Sequence, residues 1–285
     1  MAVSIDSAVA ESASHLEQIE IDLLLEGLYQ LYGDDFRGYE RPRLKRKLLT
    51  FMQAHGLASI SALQAQVMHE RAMGEALLRS LLERPGGLFD APGNFKLLRE
   101  TAGPLLRSYV VPKVWLAECA SVEDVFSLAI LLEEEGLCDK TLLYATSPNE
   151  AILSEARKGV CAADKLPEYA ENYRLSGGKA ELTDYCIESA EGMAFRPQLQ
   201  RNVIWSQFSL ASDNSFNEFQ LIVCRAQLTD FAAPLQRRAL TLFSQSLSPF
   251  GILNTEHAPG LEAAPFSIKF QGIAAAPGLY RYTGW

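Results

Sequence analysis

After Pro112 the chain switches from helical periodicity to an alternation of short apolar runs and amphipathic stretches, and this alternation constrains the fold most. Runs at 114–119, 142–145, 203–207 and 219–224 read as strands. Residues 125–135, 151–158 and 234–247 read as helices, the last ended near Pro249. Residues 251–255, 266–270 and 279–282 finish with strand character. Strands alternating with helices imply an α/β fold with a largely parallel, doubly wound sheet, since each parallel pair needs a long crossover. Residues 160–201 break the alternation. They are polar, carry Tyr169, Tyr173 and Tyr185, turn at Gly177-Gly178, and read as an inserted subdomain or a long excursion.

The preceding segment, 16–108, reads as an all-helical N-terminal domain. Ile19, Leu23, Leu24, Leu28 and Leu31 recur at helical spacing. Pro42 opens a second helix at a tolerated early position and Gly56 closes it. Ser59, with Leu63, Val67 and Met68, starts a third. A fourth covers 72–82 and stops at Arg84-Pro85-Gly86-Gly87, and a fifth covers 94–106. The first 15 residues are small and polar and read as a flexible N-terminus. Residues 109–285 then form the α/β domain.

Net charge is −9, which argues against non-specific binding to nucleic acid or to anionic membrane. No apolar run approaches the ~18 residues of a membrane span. The N-terminus has no basic n-region or signal-peptide core, so the expected location is cytoplasmic. The five cysteines, Cys119, Cys138, Cys161, Cys186 and Cys224, form no C-x-x-C pair. They fit a reducing compartment and read as small core hydrophobes. His15, His55, His69 and His257 are scattered without metal-ligand spacing, so no metal is expected.

Residues 115–129, W-L-A-E-C-A-S-V-E-D-V-F-S-L-A, run from strand to helix, where a fold of this class cradles a nucleotide-type cofactor. Such a turn needs glycine so that the backbone can take φ > 0 and approach the ligand. Glu118 and Val122 stand at those positions instead.

Three collinear segments resemble the chemoreceptor glutamate methyltransferases, the CheR family, over nearly the whole chain. They are Tyr32-Gly33-Asp34-Asp35-Phe36-Arg37-Gly38-Tyr39 with the basic Leu44-Lys45-Arg46-Lys47; Trp115-Leu116-Ala117-Glu118-Cys119 continuing to Phe126-Ser127-Leu128-Ala129; and Phe219-Gln220-Leu221-Ile222-Val223-Cys224-Arg225 with Leu228 and Phe231. The resemblance implies a helical domain, an S-adenosylmethionine-type α/β domain with a small inserted β subdomain at about 160–201, and methyl transfer to receptor glutamates. That transfer needs a positioned sulfonium methyl and an oriented carboxylate.

Several positions depart from the family pattern. In the segment that resembles T-x-F-F-R-D-P, threonine is replaced by Gly86 and arginine by Asp90. Ser147 stands for the acid that holds the ribose hydroxyls, Ser209 for an asparagine, Ala226 for another, and Asp230 for a tyrosine. The positions left to hold a cofactor are Glu118, Glu123, Ser147, Ser209 and Arg225. Glu123 is either a ligand contact or an acid favoured at a helix N-terminus. Arg225 either pairs with a carboxylate in the old pocket or supports a strand end. Asp90 and Asp230 make no defensible catalytic pair and read as solvated loop acids. Gly86-Gly87 reads as a helix stop or a phosphate-cradling loop. Arg41, Arg43, Lys45, Arg46 and Lys47 make a basic stretch in an acidic chain, either a docking surface for an acidic receptor or signalling helix or a solvated face.

The expected function is therefore a degenerate CheR-like binding or regulatory module in chemosensory signalling, with no bound cofactor and no catalytic residue. The alternatives are an active S-adenosylmethionine-dependent protein-glutamate O-methyltransferase, and a sensor of another small molecule, cationic by preference, in a pocket made acidic by Glu118, Asp90 and Asp230.

Overall fold

The computed structural model describes residues 2–84, 86–189, 192–225, 227–255, 259–273 and 277–284. Among the described residues, no helix is long and apolar enough to cross a membrane. The chain divides into two compact units, one of Met1–Leu82 with Asp230–Ala232 and one of Glu83–Thr229 with Ala233–Trp285. The boundary therefore falls near residue 82 and not near 108, because the fifth helix packs within the sheet-bearing unit.

The first unit is built from α1 (Ala2–Tyr32), α2 (Arg41–Ala54), α3 (Ile60–His69) and α4 (Arg71–Leu82). The N-terminal segment expected to be flexible lies in α1, whose run of alanine, serine and glutamate holds no glycine or proline before Gly27. Glu40 caps α2 through the Arg43 N–H, and Pro42 sits in the first turn. Ser59 caps α3 by accepting the Ala62 N–H at 3.1 Å. Ile21, Leu24, Leu25 and Leu28 of α1 are buried with Leu48, Leu63 and Leu77. Ile19, Leu23 and Leu31, expected on the same face, are exposed. Alpha-helical spacing draws two apolar stripes on α1, and only one of them is packed.

The second unit opens with α5 (Pro92–Arg107), followed by β1 (Lys113–Leu116), α6 (Val122–Glu134), β2 (Leu142–Ser147) and α7 (Glu150–Lys158). The excursion holds β3 (Val160–Cys161), α8 (Leu166–Leu175), β4 (Cys186–Ser189) and β5 (Gly192–Phe195). Then come β6 (Val203–Gln207), β7 (Phe219–Val223), α9 (Ala233–Ser246), β8 (Leu247–Asn254), α10 (Phe266–Lys269), β9 (Phe270–Gly272) and β10 (Leu279–Tyr282).

The main sheet runs β6-β2-β1-β7-β8-β10-β9. Its first five strands are mutually parallel, while β10 is antiparallel to both β8 and β9. A separate antiparallel sheet, β3-β5-β4, makes the excursion a small β subdomain that also carries α8. Two expectations fail locally. The strand β8 begins at Leu247 and takes in Pro249, and 266–270 is a helical turn entering a strand. A short apolar run does not distinguish helix from strand by periodicity alone. Trp115 anchors the sheet; its Nε1 donates to Thr146 Oγ1 at 2.8 Å and its ring meets Phe208, Phe216, Phe219 and Phe243.

A buried carboxylate joins α5, α6 and α8. Glu134 pairs with Arg99 and accepts hydrogen bonds at Oε1 from Tyr173 Oη and the Lys179 N–H. Arg99 Nε donates to the Ser176 carbonyl at 3.1 Å. The Arg99–Glu134 contact itself is electrostatic, without hydrogen-bond alignment at Arg99 Nη2 or Glu134 Oε2.

Two predictions follow from these burials. Arg99→Ala leaves the Glu134 carboxylate buried without its cation and is expected to cost about 3–5 kcal/mol in urea unfolding, whereas Arg99→Met with Glu134→Leu recovers most of it. In the first unit, burial pushes the Asp34 carboxyl up to about 6. The folded state then holds more protons than the unfolded chain between the ordinary carboxylate range and that value, so stability falls as pH rises through the window. Asp34→Asn should flatten this slope and raise stability at pH 7, by at most on the order of 3 kcal/mol.

Candidate functional site

The turn between β1 and α6 keeps the backbone shape that glycine would give. Glu118 has φ +58°, a left-handed conformation costing a residue with Cβ about 1–2 kcal/mol. Its side chain is buried, and Oε1 accepts the Leu210 N–H at 3.3 Å. The replacement therefore preserves the turn and adds a carboxylate that reaches the loop after β6. Val122 behaves differently from the expectation. It is the first residue of α6 and does not take a positive φ, so no glycine is needed there.

The N-terminus of α6 is closed by its own residues. Ser121 Oγ accepts the Asp124 N–H, and Asp124 Oδ2 accepts the N–H groups of Ala120 at 3.0 Å and Ser121 at 3.2 Å. A helix N-terminus attracts anions, and here the anion is internal. Burial pushes the Asp124 carboxyl up, and the positive charges of Arg225 and Arg84 oppose that shift. Sequence reading passed over Asp124, although Ser121-Val122-Glu123-Asp124 carries the S-x-x-D capping-box pattern.

Glu123, at the same helix end, accepts a hydrogen bond at Oε1 from Tyr169 Oη at 2.8 Å. Burial and the Glu123 carboxylate both raise the Tyr169 phenol, which therefore stays a donor. Tyr169 also explains Gly87: a Cβ there would lie 2.8 Å from the Tyr169 ring. The helix α4 ends at Leu82, upstream of Gly86-Gly87, so the two glycines are not themselves its stop. At Gly86 a Cβ would stand 3.0 Å from Asp90 Oδ2. The next residues are fixed as well. Phe89 has φ +52° and donates its N–H to Ser127 Oγ at 2.9 Å.

Asp90 is exposed, as expected of a loop acid, and it also forms an ion pair with Arg225. The Arg225 guanidinium also lies 5.1 Å from the Phe95 ring centroid. Asp230 belongs with the first unit, where it faces Arg43 at 3.4 Å and Lys47 at 3.9 Å. Of the three carboxylates expected to make the pocket acidic, Glu118, Asp90 and Asp230, two are matched by cations. Ser147, at the end of β2, is buried, and its Oγ accepts the Asn149 N–H at 3.5 Å. Ser209 Oγ accepts the Ala211 N–H at 3.2 Å, while Asp213 accepts the Ser209 N–H and Arg238 holds the carbonyls of Leu210 and Asp213. Ala226 and His257 lie outside the described residues.

The basic stretch is largely matched within the first unit. Arg41 pairs with Asp22 at 2.7 Å, Lys45 with Glu17, and Lys47 donates to the Leu81 carbonyl at 2.6 Å. Arg43 faces Asp230, and Arg46 is exposed. All five cysteines are buried and unpaired in disulfides. Burial raises the thiols of Cys119, Cys138, Cys161, Cys186 and Cys224, which makes them poor nucleophiles. Among the described residues, no group of three His, Cys, Asp or Glu could hold a metal ion.

Comparison with known proteins matches residues 87–270 to the SAM-binding domain of CheR methyltransferase and residues 19–82 to the all-alpha domain of CheR methyltransferase. A protein of Pseudomonas putida KT2440 named "Putative methyltransferase Cher3" is 36% identical over 92% of this chain and 96% of its own. The chemotaxis protein methyltransferase of Listeria innocua is 24% identical over 78% of this chain and 82% of its own. The N-methyltransferase NodS of Bradyrhizobium japonicum WM9, solved with S-adenosyl-L-homocysteine, is 13% identical with a TM-score of 0.37, covering 79% of this chain and 98% of that one. With its helical domain, mixed sheet and inserted β subdomain in the expected order, the chain belongs to the CheR methyltransferase family.

Proposed function

We propose that this chain is a catalytically silent member of the CheR family that acts by binding a protein partner. One observation carries the reading: the Glu118 carboxylate occupies the Leu210 N–H from a left-handed backbone position where the family pattern has glycine. The other positions left to hold a cofactor are likewise engaged within the chain. Glu123 is bonded by Tyr169, Ser147 and Ser209 take N–H groups two residues ahead, and Arg225 is paired with Asp90.

These residues fit S-adenosylmethionine poorly. Its own carboxylate would meet Glu118 at close range, and two like charges ~4 Å apart cost about 4 kcal/mol at an effective dielectric of 20. Asp90 at the arginine position offers an acceptor glutamate repulsion instead of a two-point cation. The remaining role is recognition. The basic stretch supplies the exposed cations Arg43 and Arg46, and others held by acids that a competing acidic helix could displace.

A second reading keeps the enzyme active on chemoreceptor glutamates. It draws on the left-handed backbone retained at Glu118, on Glu123 at the helix N-terminus, and on the methyltransferase names of the relatives.

Calorimetric titration with S-adenosylhomocysteine separates the two. The silent reading expects no heat of binding at millimolar ligand; micromolar affinity would overturn it. Glu118→Gly removes the carboxylate and the left-handed strain together. It is expected to leave the fold intact and to strengthen S-adenosylhomocysteine binding at least tenfold, which is about 1.4 kcal/mol. An unchanged titration would mean that Glu118 is not what closes the site.

A further inference from the structure

The helix α1 carries two apolar stripes on opposite faces. Ile21, Leu24, Leu25 and Leu28 are buried, whereas Leu16, Ile19 and Leu23 are 59%, 42% and 53% exposed. The exposed stripe follows alternating steps of three and four residues, and in sequence the same steps continue back through Ser12, Val9 and Ile5 to Ala2. That is a heptad seam, with Val9, Leu16 and Leu23 at a positions and Ile5, Ser12 and Ile19 at d positions. It ends where Glu26 and Gln30 take the next two positions, so it spans 22 residues of the helix, about 33 Å at 1.5 Å per residue. A solvent-facing helix surface ordinarily shows polar residues opposite its buried stripe, and this one shows leucine and isoleucine.

We propose that this face of α1 is a self-association seam, and that its occupant is the α1 helix of a second copy of the chain, aligned in parallel. Heptad spacing favours a helix with the same repeat over a flat or irregular surface. The flanking charges favour the parallel alignment. At the g and e positions beside the described stripe, His15 would face Glu20 of the other copy and Asp22 would face Gly27, so no like charges meet at these flanking positions. The ion pairs that Glu17 and Asp22 make with Lys45 and Arg41 join α1 to α2 and leave the seam to its apolar residues. Leucine at a with isoleucine at d also admits more than two strands, so the repeat sets self-pairing and not an upper limit on copy number.

Sedimentation equilibrium of the full chain from about 1 to about 100 µM tests this, since a self-associating species grows with concentration. The expected result is a mass of at least two copies, returning to the monomer in Leu16→Glu with Leu23→Glu. Circular dichroism and thermal unfolding of that variant show whether the fold survives, because the substituted side chains point away from the buried stripe. Ile19→Cys gives an independent readout. Five native thiols are buried, so mild oxidation should link copies through residue 19 in a parallel seam. A monomer throughout the range overturns the proposal, as does an oligomer that persists unchanged in the folded double variant. Failure of Ile19→Cys to cross-link in an oligomeric sample overturns the parallel alignment. A monomer whose exposed seam is instead covered by a heterologous protein also counts against it.

Discussion

The Glu134 carboxylate is the contact on which the geometry of the α/β unit depends. It is nearly inaccessible, and it is reached from α5 by Arg99 and from α8 by Tyr173 and the following turn. An unpaired charge at that depth would be strongly destabilising, so the three helices come together as a set. The consequences run directly to the site. Fixing α8 against α6 sets Tyr169 over Glu123 and against Gly87. Fixing α5 sets the segment before it, where Phe89 and Asp90 sit. A polar network that orders helices thereby also decides which side chains reach the turn between β1 and α6.

The polar side chains around that turn are bonded within the chain. Carboxylates stand where glycine and arginine would be, yet each finds a partner: Glu118 an amide, Asp90 a guanidinium, Asp124 the turn N–H groups. A buried polar group is costly only when unsatisfied, so a chain can replace ligand-binding residues without losing stability if the substitutes bond to one another. The pairing of Asp90 with Arg225 illustrates this. The acid at the arginine position neutralises the cation retained at the end of β7, and neither is left seeking an external ion.

Much of the fold was legible from patterning. Both β6 and β10 fall at the predicted residues, because each is a short apolar run bounded by turn residues. The failures share a cause. A proline after an amphipathic stretch predicts a helix stop, but Pro249 lies within a strand that begins two residues earlier. The stripe of Ile19, Leu23 and Leu31 satisfied helical spacing as well as the buried one did, and burial is a tertiary fact that spacing alone does not carry. At the site, the identity of the altered positions was readable, but their partners were not. Asp90 meets Arg225 across 135 positions of chain, and no local rule connects them. Asp230 lies close in sequence to Arg225 and yet clusters with the helical unit.

Gly86 ties the size of one residue to the charge pairing of another. A Cβ at 86 would stand 3.0 Å from Asp90 Oδ2, so a side chain there would push the carboxylate aside by a few tenths of an ångström. The same carboxylate is the partner of Arg225. Residues 86, 90 and 225 therefore act as one set: bulk added at 86 is felt in an ion pair it does not belong to, and energetic effects at the three positions are not additive.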